Sequence, residues 1–69
     1  MKNISIRDYI KENFKDDNIN EIKESIDDSI KENLEEALPG LGVFMEIIWL
    51  HSSEETKKEL LETLKAHLN

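Results

Sequence analysis

Residues 38–50 read LPGLGVFMEIIWL, and this stretch decides the fold. It contains both glycines, the single proline and the single tryptophan of the chain, and Glu46 is its one charge although 36% of all residues are charged. At 100° per residue, an apolar helical face is flanked on both sides by further apolar residues: Leu41, Phe44, Ile47 and Ile48, then Val43, Met45 and Leu50. A helix that is apolar nearly all round is normally buried. The sequence therefore predicts a central helix at about residues 41–51.

The start of this stretch predicts a turn. The residue before a proline disfavours the helical region, so Leu38 is expected to be extended and Pro39-Gly40 to turn the chain. Gly40-Leu41-Gly42 at a helix start has a second interpretation, an anion cradle built from free backbone amides. Because no lysine follows in the P-loop pattern and no strand precedes the glycines, a tight turn with a close helix contact at Gly42 is favoured.

Three further helices are predicted around the central one, which makes the fold all-α. Ser5 with Asp8, and Asn18 with Glu21, have the spacing of helix caps. Ser52 or Ser53 can cap the last helix, and Ser52 has capping-box spacing to Glu55. Each cap precedes an apolar stripe at helical spacing: Ile6, Tyr9, Ile10 and Phe14; Ile19, Ile22, Ile26 and Ile30; Leu60, Leu61, Leu64 and Leu68.

The end of the second helix has two interpretations. Leu34 and Leu38 prolong its stripe, so the helix can run to about Ala37. Alternatively, Asn33 ends it by adopting a left-handed conformation. The sequence alone leaves both open.

Length and composition indicate one domain, residues 1–69, with a core worth roughly 3–5 kcal/mol. The chain has no cysteine, which fits a reducing compartment. The N-terminus lacks the apolar region of a signal peptide. The longest apolar run, residues 43–50, is broken by Glu46 and is too short to span a bilayer. The protein is expected to be soluble and cytoplasmic, without membrane contact.

The net charge of −7 argues against nucleic-acid binding. Affinity for a polyanion needs lysines and arginines that displace counterions, and sixteen acidic residues here outnumber nine basic ones.

No residue set predicts an active site, a cofactor or a small-molecule substrate. Acidic pairs such as Asp16-Asp17 lie in polar runs typical of solvated surface, whereas acid–base catalysis needs a positioned carboxylate. His51 and Glu55 are four residues apart, but one imidazole and one carboxylate are too few for a zinc site. His51 and His67 are therefore predicted to lie at helix ends, and neither a metal site nor an enzyme is expected.

The back of the central helix has two interpretations. In the favoured one, Trp49 is core, packed on the first helix, and Glu46 reaches solvent. In the other, this face is a contact patch for a partner or a second copy, because tryptophan is enriched at binding hot spots. The candidate partner-contact residues are Gly42, Met45, Glu46, Trp49 and Leu50. A weak homodimer or an unknown partner protein is expected.

Residues 38–49, LPGLGVFMEIIW, resemble the hallmark of the small acid-soluble spore protein I family of endospore-forming Firmicutes, and residues 60–64, LLETL, match it downstream. The resemblance implies a minor, non-enzymatic protein made in the forespore and held in the spore core. It does not imply the DNA protection of the α/β-type spore proteins, whose glycine-rich DNA-contact motif is lacking here.

Two classes of function follow from this resemblance. The first is a structural or interaction protein of the dormant spore. The second is an acidic filler or amino-acid reserve that is degraded on germination.

Overall fold

A computed structural model describes residues 5–68. The expectation that the N-terminus lacks the apolar region of a signal peptide falls partly on residues 1–4, outside that range. The structure contains four α-helices: α1 (Ile6–Phe14), α2 (Ile19–Lys31), α3 (Leu38–Leu50) and α4 (Glu54–Ala66). A 3-10 helix, Glu35–Ala37, joins α2 to α3. No strand occurs within residues 5–68, and the prediction of an all-α fold with four helices is confirmed.

The predicted caps begin α1 and α2. The Ser5 hydroxyl accepts from the backbone amide of Asp8 at 3.1 Å. At α2, the Asn18 side chain accepts from the amide of Glu21 at 2.8 Å, and the Glu21 carboxylate accepts from the amide of Asn18 at 2.9 Å. This reciprocal arrangement satisfies two amides that the first helical turn leaves without a partner.

The cap of α4 is Ser53 rather than Ser52. The Ser53 hydroxyl accepts from the amide of Thr56 at 3.1 Å. Ser52 instead donates its hydroxyl to the carbonyl of Ile48, one turn back in α3. Either hydroxyl could cap a helix, but the Ser52 hydroxyl is bonded to the end of α3 and only Ser53 caps α4.

Asn33 ends the second helix, as one of the two interpretations predicted. Its φ is 55°, in the left-handed region. Asparagine tolerates this conformation better than most residues, and α2 stops at Lys31.

The predicted turn at Pro39-Gly40 is wrong. Leu38 has helical dihedrals, φ −59° and ψ −42°, and α3 begins there, three residues before the predicted start. Proline is tolerated in the first turn of a helix because the amide it lacks would have no intrahelical partner. The chain turns earlier, at residues 32–34, where Asn33 is left-handed and Leu34 is extended. Gly40 and Gly42 are therefore helical, which removes the glycine loop on which an anion cradle would depend.

α1 crosses α3 in the best-packed contact of the structure. The rings of Phe14 and Phe44 meet edge to face, with centroids 5.0 Å apart. The close helix contact is at Gly40, where a Cβ would lie 3.1 Å from Cδ1 of Ile10. The predicted contact at Gly42 is wrong, because a Cβ there would meet no atom within 4 Å. Val43 is the one buried apolar side chain among residues 5–68.

The central helix is less covered than its sequence predicts. Ile48 is 45% exposed and Leu50 is 69% exposed. Helices of nine and thirteen residues have too little surface to enclose a helix that is apolar on every side.

Truncating Phe44 should remove much of the stability. Phe44→Ala deletes the aromatic contact and part of the small core, which typically costs roughly 2–4 kcal/mol. Urea denaturation monitored by circular dichroism measures this. Ile30→Ala is the control, because Ile30 is 63% exposed and should cost under about 1 kcal/mol. Equal losses in the two variants would contradict the packing described here.

Gly42→Ala should stabilise the protein by roughly 0.5–1 kcal/mol, because alanine loses less chain entropy in a helix interior. A Cβ at Gly42 meets no atom within 4 Å, whereas one at Gly40 meets Ile10. Gly40→Ala is the matched control and should gain less or lose stability. Thermal unfolding of both variants tests this, and a larger gain at Gly40 would contradict the predicted difference.

Candidate protein-interaction site

The predicted partner-contact residues lie together along one side of α3. With 3.6 residues per turn, they form a ridge, here called the α3 ridge: Gly42, Met45, Glu46, Trp49 and Leu50. Met45 is 42% exposed and Leu50 69% exposed, while Trp49 and Glu46 are half-buried. The role of this ridge in binding stays a prediction.

Glu46 reaches solvent with 39% of its side chain exposed, and it also forms an ion pair with α1. Arg7 donates from Nε to Oε1 at 2.6 Å and from Nη2 to Oε2 at 2.8 Å. Two parallel bonds of this kind are the strong form of a carboxylate contact. The hydrogen bonds from Arg7 lower the pKa of Glu46 and raise that of Arg7.

Sequence reasoning missed this ion pair, although a signal was present. Glu46 is the lone charge in an apolar helix, and Arg7 is the chain's single arginine, on the stripe-bearing first helix. The guanidinium is the group whose geometry best matches a carboxylate.

Trp49 contacts α4 through the side chain of Lys57. The Lys57 ammonium lies 5.2 Å from the centroid of the indole ring. Such a cation above an aromatic face is attracted by the ring quadrupole. The tryptophan is half-buried within one chain, and its predicted packing on the first helix stays a prediction.

Both histidines lie at helix ends, as predicted. Nδ1 of His51 is 2.9 Å from the carbonyl oxygen of Ile47, and Nδ1 of His67 is 2.8 Å from that of Thr63. Each ring donates to a carbonyl that the helix end leaves open. Nowhere in residues 5–68 do three metal-ligand side chains come together. Every helix in the same range falls short of the length and apolar character that a bilayer span demands.

Glu46→Gln should lower the melting temperature at pH 7, and the loss should disappear in acid. Because the folded state lowers the pKa of Glu46, the ion pair stabilises the protein above the unfolded carboxyl pKa, about 4.3. That contribution is lost as the pH falls through the folded pKa. Melting curves of both proteins from pH 7 to pH 2 test this. Glu62→Gln, an exposed carboxylate on α4, is the control, and a pH-independent gap for Glu46→Gln would contradict the prediction.

Known proteins are similar in sequence to this chain over nearly its whole length. The sequence profile of the family "Small, acid-soluble spore protein I" matches residues 4–68. A protein of that name from Bacillus subtilis strain 168 is 38% identical over 65 residues, which cover 94% of this chain and 92% of the relative. A namesake from Geobacillus sp. strain WCH70 is 39% identical over 62 residues, 90% of this chain and 87% of the relative.

No solved structure matches the chain significantly. The family assignment therefore rests on sequence, over the length just given. The chain belongs to the small acid-soluble spore protein I family, a family of sporulation-associated spore proteins.

Proposed function

We propose that this protein is a non-enzymatic component of the dormant spore, which acts by binding another spore protein through the α3 ridge. The observation that carries the proposal is the apolar surface beside Trp49, where Met45 is 42% and Leu50 69% exposed. An exposed apolar patch on a small soluble protein is often a site of contact with another molecule.

The composition of the ridge supports protein binding. Tryptophan and methionine are enriched in interface cores, and large aromatic anchors supply most binding energy at hot spots. The Arg7–Glu46 ion pair fixes one edge of the ridge and the Lys57–Trp49 contact fixes the other. A surface held in place before binding loses less entropy when a partner docks.

The proposed location is the forespore and then the spore core. Family membership supports a spore location, and the lack of cysteine fits a reducing compartment. The net charge of −7 disfavours nucleic acid and anionic lipid as partners, because both repel an acidic surface.

An alternative function is an acidic reserve protein that is degraded on germination. Its support is the loose packing, since residues 5–68 bury only Val43. Segments with few buried contacts open easily and are accessible to proteases.

Capture from dormant-spore extract separates the two functions. A tagged chain should retain one protein other than itself, with saturable stoichiometry, and Leu50→Glu should lose it. Ile19→Glu is the matched control, because Ile19 is 83% exposed and lies outside the ridge. If nothing saturable is retained and the protein disappears early in germination, the reserve function replaces the interaction function.

A further inference from the structure

An apolar groove lies between α1, α2 and α3. Its cavity is about 500 Å³, and two lysines, Lys11 and Lys15, stand at its rim. The floor and walls are made by seven apolar side chains: Ile10, Phe14, Ile22, Ile26, Phe44, Ile47 and Ile48. With 3.6 residues per turn, Phe44, Ile47 and Ile48 lie on the face of α3 opposite the α3 ridge. The groove is thus separate from the partner site proposed above.

The last helix carries a leucine stripe that its own chain leaves half uncovered. Leu61 is 50%, Leu64 52% and Leu68 66% exposed, and Leu60 is half-buried. Leu60, Leu61 and Leu64 share one face of α4, which ends at Ala66, and Leu68 lies just beyond that end. An amphipathic helix with such a stripe is the usual occupant of an apolar groove.

The α4 of the same chain starts on the wrong side of α3 to fill this groove. Only residues 51–53 separate α3 from α4. The first turn of α4 is held over Trp49 by Lys57, at 5.2 Å from the ring centroid. Trp49 belongs to the α3 ridge, on the face opposite the groove.

The area and shape of the chain match what a second copy would cover. A compact monomer of this mass exposes about 4,500 Å², whereas this chain exposes 6328 Å². The radius of gyration is 13.7 Å, against about 11 Å for a compact domain of this length. The excess area is about 1,800 Å². A standard interface buries about 800 Å² on each partner.

We propose that α4 of a second copy docks its leucine stripe into the apolar groove, and that the exchange is reciprocal in a two-fold dimer. In a two-fold dimer the same contact between stripe and groove forms twice, once in each direction. Both α3 ridges stay outside this interface. Lys11 and Lys15 on the rim moderate the repulsion between two chains that each carry a charge of −7.

Sedimentation of the purified chain tests the proposal. At about 1 mM, the weak end of specific association, the mass should be twice 8.1 kDa. Leu64→Glu on the stripe and Ile48→Glu in the groove should each raise the dissociation constant about 30-fold or more, as interface hot spots do. Ile19→Glu, outside both surfaces, should not. Circular dichroism checks that each variant is helical. A monomeric wild type at 1 mM, or equal weakening by Ile19→Glu, overturns the proposal.

Cross-linking identifies the occupant of the groove. A tagged Lys65→Cys chain, altered beside the stripe, is mixed with an untagged Lys15→Cys chain, altered at the rim, and treated with a short bis-maleimide. The tagged–untagged product should exceed that formed with Leu50→Cys on the α3 ridge, and Trp49 emission should not change on dilution. A stronger product with Leu50→Cys, or a red shift on dilution, places the interface on the ridge and overturns the groove. In a chain that carries both Lys15→Cys and Lys65→Cys, a cross-link within one chain would show that α4 folds back onto its own groove, which also overturns the proposal.

Discussion

The crossing of α1 over α3 is the contact on which the rest of the structure depends. Along nine residues, α1 places Arg7 on Glu46, Ile10 on Gly40 and Phe14 on Phe44. These three contacts combine a charge-assisted bond, a close backbone approach and an aromatic pair. They fix which faces of α3 are covered, and so determine where the α3 ridge and the apolar groove lie.

Local signals in the sequence predicted the helices well. Ser5, Asn18 and Asn33 act within three or four residues of their own positions, so their effect does not depend on a tertiary contact. Pro39 was misread because its effect on Leu38 is a preference that a tertiary contact can override. Placing Leu38 in the helix aligns Gly40 with Ile10.

The contacts of the candidate site were harder to predict. Glu46 and Arg7 are 39 residues apart, and the spacing of residues along one helix says nothing about a neighbour so distant in sequence. Trp49 shows the same limit, because its large ring predicts burial without saying which helix provides it. Lys57 covers the ring from α4, a helix that the residue pattern of α3 does not link to Trp49.

Charge acts against the association that so much exposed apolar surface favours. At neutral pH, the net charge of −7 opposes indiscriminate association. In strong acid, the sixteen carboxylates become neutral, and nine basic residues with two histidines leave a formal charge of +11. Both states are far from zero charge, which suits the acid solubility that the family's name records.

The apolar circumference of α3 then has a physical interpretation beyond core packing. One sector is covered by α1, and the exposed remainder divides into two opposite faces, the ridge and the groove. A helix serving only an internal core would need one apolar stripe and could be polar elsewhere. Keeping Met45 and Leu50 on one face, with Ile47 and Ile48 on the other, exposes apolar area in the single chain. The unfavourable free energy of this exposure is removed only when other protein surface covers the apolar area. The sequence of α3 is therefore better suited to an assembly than to an isolated chain.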